Sequence, residues 1–345
     1  MKDDTIFVPV KLIGPIKIRG PEVNAELMVP LATYESPIWP STNRGASVSR
    51  SCDGINCVLL DDQTTRSILL EADSVLDVKK IIDELQTRRQ DLANVINATS
   101  THCHLLSWYT QVVGSLLFLR LAVQSGDAAG HNIVTKAADA VINWMLQQYP
   151  QLKYVSISGN ICVDKKTSAI NGILGRGKSV VAEIIIPRNV CTERLKTTPE
   201  AVVNLNIKKN LLGSIIAGGL RTANAHYANL LYAFYLPTGQ DIANIVEGSQ
   251  GFTYAEIRGE NLYFSVNLPN IIIGTVGSGK QYDFVQRYLE MMGCLENRKE
   301  GENARRLAII AAATVLCGEL SLMAAQTNPG ELMRAHEKFE RGRET

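Results

Sequence analysis

The sequence predicts an α+β protein in which a small domain interrupts a large mixed α/β domain. The main observation is the order of predicted elements over residues 68–157: strand, helix, strand, strand, helix, strand, the split pattern of a ferredoxin-like unit. A second observation is the length of 345 residues, which suits about two domains with hydrophobic cores. We therefore expect a large domain of residues 1–67 and 158–345 around an inserted domain of residues 68–157.

Each element of the inserted unit has its own signal. SILLEA is an apolar strand, SVLDVKKIIDELQTRRQDLANVIN has apolar residues at helical spacing, and HLLSWYTQVVGSLLFLRLAV suits two strands joined by a turn. AAGHNIVTKAADAVINWMLQQYP is a second amphipathic helix that Pro150 ends, and YVSISG is the last strand. In the flanking parts we expect short strands over residues 7–19, a helix starting at Ser41 or Thr42, and a long helix over residues 301–325.

The composition excludes several classes of protein. Lysine and arginine total 35 against 34 aspartate and glutamate residues, so the chain lacks the basic excess typical of nucleic-acid binders. Its seven cysteines are scattered without a CxxC pair, which indicates reduced thiols and no zinc site. The N-terminus lacks a signal-peptide pattern, and the two long apolar stretches contain Arg120 and Glu319. We expect a cytoplasmic protein without a metal ion, a nucleic-acid partner or a membrane span.

Residues 158–179, SGNICVDKKTSAINGILGRGKS, hold the densest group of chemically useful side chains. Asp164, Lys165 and Lys166 adjoin in a stretch of small residues that suits no regular element. A lysine beside a carboxylate stays charged in a partly buried site, where it can hydrogen-bond a carbonyl oxygen or the oxyanion formed from it. A solvated charged turn is the competing interpretation of the same spacing.

Three further candidates are weaker when taken alone. Asp241 stands between a glycine-containing turn and a helix-like run, which is typical of a helix N-cap. His226 can share a helix face with Asn224 and Asn229, where a histidine usually belongs to the core. His336 lies on a charged C-terminal helix, where a surface histidine is the simpler interpretation. The sequence contains no motif of the serine hydrolases, zinc proteases or Rossmann folds.

Two glycine-bearing segments could bind phosphate groups. SGDAAGHN (residues 125–132) opens a helix, whose free N–H groups can receive an anion. GTVGSGK (residues 274–280) has the spacing of a P-loop, but Lys280 is followed by Gln281 where that motif needs a serine or threonine for Mg²⁺. A P-loop nucleotide-hydrolysing protein is therefore an alternative at this point.

Together these segments resemble the soluble catalytic portion of class I 3-hydroxy-3-methylglutaryl-coenzyme A (HMG-CoA) reductases. The matching stretches occur in the family's order along nearly the whole chain: VPLATYES, STNRG, SGDAAGHN, SGNICVDKKTSAIN, GRGKSVVAE, LKTTPEAVVNLNIKKNLLGS, NAHYAN, GQDIANIV, IIIGTVGSGK, and ENARRLA followed by GELSLMAA. The resemblance implies reduction of HMG-CoA to mevalonate and coenzyme A with two hydrides from NADPH, in isoprenoid synthesis. It also implies a homodimer or larger homo-oligomer with active sites at the subunit interface.

The resemblance assigns four residues to catalysis. Lys165 is the cation beside the carbonyl oxygen that gains charge, and Glu35 is the acid that supplies a proton to the aldehyde intermediate. Asp241 connects these two residues in one hydrogen-bond network, and His336 protonates the coenzyme A thiolate as it leaves.

The resemblance also implies two binding sites. The substrate pocket is made by Arg66, Ser158, Asn160, Asp164, Lys166, Lys209, His226 and Asn229. The cofactor site is made by Ser125, Asp127, Ala128, Gly130 and Asn132 from the inserted domain, and by Gly274, Thr275, Val276, Gly277, Gly279 and Lys280 from the large domain.

Several departures from the family pattern matter. ATYESPIWP stands where the family usually has ATTEG before STNRG, which leaves open a related enzyme that acts on, or merely binds, another acyl-CoA thioester. Val123-Gln124 replace the usual Ser-Arg that holds the 2′-phosphate of NADPH, so NADH is an alternative cofactor. Lys280 stands where threonine is more frequent and could restore a positive charge. We also expect the family's N-terminal helical portion to be missing, and the tail HEKFERGRET lacks the serine that is phosphorylated in animal relatives.

Overall fold

The computed structural model describes residues 6–339, and nine strands lie among them. They are β1 (Val10–Arg19), β2 (Ala25–Ala32), β3 (Ile55–Glu71), β4 (His104–Val113), β5 (Leu116–Gln124), β6 (Lys153–Ser156), β7 (Gly177–Ile186), β8 (Phe252–Arg258) and β9 (Asn261–Ile271). The main sheet has the order β2-β1-β3-β7-β9-β8, and its neighbours are antiparallel except for β1 and β3.

Helices cover the main sheet and connect its strands. They are α1 (Ile38–Ser51), α2 (Val75–Thr87), α3 (Arg89–Asn97), α4 (His131–Gln148), α5 (Ala169–Leu174), α6 (Arg188–Val190), α7 (Pro199–Leu205), α8 (Ser214–Ile216), α9 (Tyr227–Tyr235), α10 (Ile245–Gly248), α11 (Asp283–Met291), α12 (Glu302–Gln326) and α13 (Glu331–Phe339). Two π-helical segments, Cys191–Leu195 and Asn206–Gly213, and a 3-10 turn, Ile242–Asn244, complete the helical structure of the described residues.

The long strand β3 belongs to two sheets. Residues 56–63 pair with β7 in the main sheet, and residues 64–71 pair with β5 and β6. The second half of β3 lies inside a four-stranded antiparallel sheet with the order β4-β5-β3-β6. Helices α2, α3 and α4 connect the strands of this sheet.

The strand that the sequence placed at SILLEA therefore begins much earlier, at Ile55. Polar residues in the middle of β3 conceal its continuity from a pattern based on apolar residues. Asp62 is among them, and ion pairs with Lys178 (3.1 Å) and Arg305 (2.9 Å) neutralise it where the two sheets meet. Such partners are distant in sequence, so local periodicity could not reveal them.

Buried apolar residues form two clusters. The larger cluster lies between the main sheet and helices that include α1, α9 and α12, and the smaller one lies between the four-stranded sheet and α2, α3 and α4.

Helix α12 runs through the larger cluster. It is long and apolar enough to cross a membrane, but 94% of its apolar window is buried in the protein. Its Glu319 is fully buried and accepts the N–H groups of Ala225 (2.6 Å) and His226 (3.0 Å) and the hydroxyl of Thr253 (2.8 Å). These donors offset the cost of burying a carboxylate, which explains a charge in the middle of an apolar helix.

Two helix starts differ from the expectation. Helix α1 begins at Ile38, before Ser41, and the Ser41 N–H donates to the Pro37 carbonyl at 3.1 Å. Helix α9 begins after His226, so Asn224 lies outside it and the Asn224 side chain accepts an N–H at the helix start. A shared helix face for these residues was therefore a wrong expectation.

Candidate active site

Lys165 and Asp241 form an ion pair at the centre of the candidate site. Lys165 lies in the irregular segment between β6 and α5, and Asp241 precedes the turn Ile242–Asn244. The Lys165 Nζ lies 2.6 Å from Asp241 Oδ2, with 40% and 44% of the two side chains exposed. The Asp241 carboxylate also accepts the Ala243 N–H at 3.1 Å. It therefore caps the turn, as its sequence position indicates, and also holds the lysine.

The neighbouring Asp164 takes part in a buried network of its own. Its Oδ1 lies 2.6 Å from the guanidinium of Arg176, which is 2% exposed and also donates to the Thr65 carbonyl at 2.7 Å. The fully buried Glu247 lies 3.8 Å from Arg176 and accepts the backbone N–H of Lys165 at 3.2 Å. This network fixes the backbone from which Lys165 reaches Asp241.

The electrostatic environment keeps the ion pair charged. The hydrogen bond with Asp241 raises the pKa of Lys165 above its usual value. Burial opposes ionisation of Asp241, but hydrogen bonds from Lys165 and from a backbone N–H bring its pKa below the usual value. Burial also opposes ionisation of Asp164, but His131 and Arg176 hold the pKa of Asp164 well below its usual range. A fixed ammonium is thus present at neutral pH, and it can stabilise charge that develops on a carbonyl oxygen.

Three non-glycine residues near Lys165 have left-handed backbone conformations. They are Asn160 (φ 60°), Val163 (φ 29°) and Lys165 itself (φ 57°). The buried Asn171 donates its amide to the Val163 carbonyl at 2.7 Å and so supports this conformation. Such backbone strain is concentrated at functional sites.

The two glycine-bearing segments lie against one another beside this site. The Thr275 N–H donates to the Asp127 carbonyl at 2.8 Å, and Ala128 and Val276 form a parallel bridge. A Cβ on Gly274 would lie 2.4 Å from the backbone of the facing segment, so the close approach requires glycine there.

The open side of this junction has room for a ligand. Gly277 has a φ of 97°, and no atom lies within 4 Å of the position that a Cβ would occupy. Gly130 precedes α4, an 18-residue helix, and the exposed Asn132 lies in its first turn. The N–H groups of such a turn attract anions.

Two residues assigned to the cofactor site have structural partners instead. The Asp127 carboxylate accepts the N–H groups of Gly301 (3.2 Å) and Ala304 (2.9 Å) and so caps α12. The buried Ser125 donates its hydroxyl to the Ala128 carbonyl at 3.1 Å. Both side chains shape the segment rather than project from it.

Lys280 points into the protein. Its Nζ donates to the Gly239 carbonyl at 2.5 Å, its side chain is 6% exposed, and burial lowers the pKa of Lys280 from 10.5 to about 8. A direct contact with a phosphate would require this bond to break. A P-loop places its lysine on the phosphates at a helix start, whereas α11 begins only at Asp283. The P-loop alternative is therefore disfavoured.

Glu35 lies in a cavity of about 450 Å³ between α1, α9, α12 and α13. The Asn229 amide donates to the Glu35 carboxylate at 3.2 Å, and both His226 and His336 line the same cavity. The structure thus brings together four residues that the sequence assigned separately to catalysis and to substrate binding.

The cavity and the ion pair are separate within one chain. Among residues 6–339, neither Lys165 nor Asp241 lines the cavity, and no hydrogen bond joins Glu35 to either of them. Helix α13 is attached over the cavity by the Ser36 hydroxyl, which donates to the Phe339 carbonyl at 2.8 Å.

Three assigned substrate residues share the segment of Lys165. Ser158 and Asn160 precede it, and the exposed Lys166 follows it with Nζ 3.3 Å from the Asp164 carbonyl. Lys166 therefore has a side chain within reach of a ligand at the ion pair.

The other two assigned cations lie on neighbouring elements. Arg66 on β3 donates to the Thr135 hydroxyl at 2.8 Å. Lys209 lies in the π-helical segment and donates to Asn210 at 3.1 Å. Burial lowers the pKa of Lys209, and the charge of Glu319 opposes this effect.

Sequence reasoning did not single out His131, Arg176 or Glu247. The His131 Nε2 lies 3.5 Å from Asp164 Oδ1, so it connects the start of α4 to the site. His131 and Arg176 lie within the quoted segments SGDAAGHN and GRGKS, and Glu247 directly follows GQDIANIV. Their signal was a charged or titratable residue close to glycines, which alone indicates only a turn.

This arrangement defines a class of protein: a mixed α/β protein whose fixed ammonium–carboxylate pair adjoins a junction of two glycine-bearing segments. The chain belongs to the hydroxymethylglutaryl-coenzyme A reductase family, whose model matches residues 5–341. The 3-hydroxy-3-methylglutaryl-coenzyme A reductase of Aeropyrum pernix is 41% identical over 339 residues, covering 98% of this chain and 80% of the relative. The enzyme of the same name from Methanocaldococcus jannaschii is 40% identical over 341 residues, covering 97% of this chain and 83% of the relative. The 3-hydroxy-3-methylglutaryl-coenzyme A reductase 2 of Solanum lycopersicum is 39% identical over 343 residues, and this match covers 97% of this chain and 56% of the relative.

The fold is also that of a solved structure. The class II 3-hydroxy-3-methylglutaryl-CoA reductase of Streptococcus pneumoniae, bound to NADPH in open conformations, superposes with a TM-score of 0.76. The match covers 94% of this chain and 86% of that chain at 16% sequence identity, so it establishes the shared mixed α/β fold.

Proposed function

We propose that this protein is an HMG-CoA reductase that converts 3-hydroxy-3-methylglutaryl-CoA to mevalonate and coenzyme A in isoprenoid biosynthesis. The observation that carries the proposal is the Lys165–Asp241 ion pair beside the glycine-lined junction, in a chain whose relatives at about 40% identity bear that name. Reduction of a thioester through an aldehyde to an alcohol needs a cation at the carbonyl oxygen, and Lys165 supplies one.

The chain's own residues bind and orient the reactants. Lys165 donates to the carbonyl oxygen of the thioester and then of the aldehyde, and Asp241 holds the ammonium in place. The cations Lys166, Lys209 and Arg66 bind the substrate carboxylate by charge-assisted hydrogen bonds. Two molecules of the reduced nicotinamide cofactor, bound one after the other, would each supply one hydride.

Two proton donors lie in the cavity beneath α13. Glu35 is the acid for the aldehyde step, positioned by Asn229, and His336 protonates the departing coenzyme A thiolate. The wall of this cavity includes the apolar residues Leu322 and Ala325.

A homo-oligomer brings the two halves of the site together. Glu35 and Lys165 occupy separate places in one chain, so a second copy that apposes its cavity to this ion pair completes the active site. The exposed apolar side chains of Ile215 (74%) and Ile216 (85%) support a subunit contact, since monomers rarely leave large apolar patches uncovered.

The cofactor is bound between the inserted domain of residues 68–157 and the large domain. Segment 125–132 and segment 274–280 form the two sides of the site, with the open backbone at Gly277 and the first turn of α4 facing the phosphates. The cofactor is NADPH, with NADH as the alternative, since Val123 is buried and Gln124 carries no charge to hold a 2′-phosphate.

The proposal is tested by assay of the purified protein with HMG-CoA and each reduced nicotinamide cofactor. We expect two cofactor molecules to be oxidised for each mevalonate formed. Lys165→Met removes the cation and should abolish turnover with the fold intact by circular dichroism, whereas Lys153→Met, an exposed lysine on β6, should retain it. Robust turnover by Lys165→Met would contradict the assigned role.

A second candidate substrate is another acyl-CoA thioester. The observation that favours it is the altered segment ATYESPIWP, of which Glu35, Pro37, Ile38 and Pro40 line the cavity. A panel of acyl-CoA substrates decides the matter: a kcat/KM that is highest for HMG-CoA excludes this candidate.

A further inference from the structure

Glu300 lies directly on the segment that holds the cofactor in the proposed function. A Cβ on Gly126, whose φ is 57°, would lie 2.5 Å from Glu300 Oε1 and 3.0 Å from its Cγ. The carboxylate therefore covers the start of segment 125–132. The Glu300 Oε1 lies at hydrogen-bond distance, 2.7 Å, from His102 Nδ1, and the two side chains are 42% and 61% exposed, so a ligand can reach both.

The backbone position of Glu300 is fixed by the residues that follow it. The next residue, Gly301, donates its N–H to the Asp127 carboxylate at 3.2 Å, and Ala304 donates to the same carboxylate at 2.9 Å. The start of α12 is thus bound to segment 125–132, and this cap keeps the backbone of Glu300 beside Gly126.

The reacting end and the far end of the cofactor site can be distinguished by their contacts. His131, at the end of segment 125–132, lies 3.5 Å from Asp164, beside the Lys165–Asp241 pair. The nicotinamide ring must lie at that end to deliver a hydride. The adenosine half of an extended dinucleotide then lies toward Gly126, at the end that Glu300 occupies.

The charges around Gly126 suit a ribose better than a ribose phosphate. A carboxylate accepts hydrogen bonds from ribose hydroxyls and is the usual partner of the 2′-hydroxyl in NAD sites, whereas an arginine accommodates a 2′-phosphate. The nearby Arg305 is held by Asp62 at 2.9 Å, and Lys136 donates to the Thr99 carbonyl at 2.8 Å. His102 is already paired with Glu300.

We propose that Glu300, positioned by His102 and by the Asp127 cap, is a specificity-determining residue that selects NADH over NADPH. It binds the hydroxyls of the adenosine ribose and repels a 2′-phosphate. This inference rests on the proposed function, because it assumes that segments 125–132 and 274–280 hold a nicotinamide dinucleotide.

The test compares wild type, Glu300→Gln and a matched control, Glu296→Gln. The control removes the same charge from the same loop, at a residue that pairs with Arg298 instead. Steady-state kinetics with HMG-CoA give kcat/KM for NADH and for NADPH, and calorimetric titration gives the affinity for each cofactor without turnover. We expect wild type to favour NADH, Glu300→Gln to shift the ratio toward NADPH by about ten- to thirtyfold, and Glu296→Gln to leave the ratio unchanged.

Each outcome decides the inference. A wild type that prefers NADPH, or a ratio that Glu300→Gln leaves unchanged or Glu296→Gln shifts equally, overturns it. If HMG-CoA is not reduced, the proposed function fails, but the titrations still test the inference. A wild type that binds NADH more tightly than NADPH, with this preference lost in Glu300→Gln, supports it. Failure to bind either cofactor overturns both. A circular-dichroism melt confirms that Glu300→Gln is folded.

Discussion

The Lys165 Nζ lies 2.6 Å from Asp241 Oδ2. The two residues before Asp241, Gly239 and Gln240, are hydrogen-bonded to the glycine-rich segment 274–280. The Gln240 amide exchanges two hydrogen bonds with Gly274, one from the Gly274 N–H and one to its carbonyl, each 3.0 Å long. The Gly239 carbonyl accepts a hydrogen bond from the ammonium of Lys280. The position of the Lys165–Asp241 pair therefore depends on segment 274–280.

Asp241→Asn tests the ion pair itself. The amide is nearly isosteric but cannot balance the charge of Lys165, so the ammonium loses its fixed position. We expect kcat to fall by about two to three orders of magnitude with little change in melting temperature. Activity within a few-fold of wild type would show that the pair is structural.

Gln240→Leu tests the connection between Asp241 and segment 274–280. The leucine keeps the volume but leaves the Gly274 N–H and carbonyl without their partner, so Asp241 should shift. We expect kcat to fall by about ten- to hundredfold, more than KM for the thioester changes.

The control for Gln240→Leu is Gln286→Leu. Gln286 bonds the carbonyl of Lys280 at 2.5 Å, on the same segment but away from Asp241. Equal effects of both substitutions on kcat would mean that general loosening of the segment, not the position of Asp241, is responsible.

Lys280→Met tests the burial of an ammonium through the pH dependence of stability. The folded protein releases the Lys280 proton near a pKa of about 8, whereas the unfolded chain keeps it up to about 10.5. Between these values the unfolded state binds more protons, so the free energy of unfolding rises with pH. Urea titrations across this window should show the rise in wild type and its reduction in Lys280→Met. Parallel profiles for the two proteins would disprove a depressed pKa.

Glu319→Gln tests the charge in the core helix. The carboxylate accepts three hydrogen bonds, and an amide would turn its NH₂ group toward at least one donor. We expect a loss of about 1–3 kcal/mol in the free energy of unfolding. The exposed Glu290→Gln on α11 serves as the control, and equal stability of the two variants would argue against the buried network.

Much of the fold follows from patterns that are local in sequence. Strands β4 and β5, the amphipathic α4 and the apolar α12 have the periodicities that their burial requires, so the sequence places them correctly. Membership of the HMG-CoA reductase family, predicted from quoted motifs, is confirmed.

The partners within the site could not be predicted in the same way. The adjacency of Asp164 and Lys165 indicates an ion pair between neighbours, yet Asp164 bonds Arg176 and Lys165 bonds Asp241. Those partners are brought close by sheet and loop packing over long sequence separations. Likewise, the spacing of GTVGSGK indicated that Lys280 binds phosphate. Its burial against Gly239 could not be predicted, because that burial depends on the packing of two glycine turns that are distant in sequence.

The shared strand β3 has a consequence for dissecting the protein. Residues 64–71 supply an inner strand of the four-stranded sheet, while residues 56–63 are an inner strand of the main sheet. A fragment cut at residue 68 would lose half of that inner strand and leave the part of β5 that pairs with residues 64–67 without its backbone partners. Strand β6 pairs with residues 69–71 and would keep its partners. The smaller sheet can be excised as an autonomous module only with its share of β3, and the remainder would then need a substitute for the missing segment.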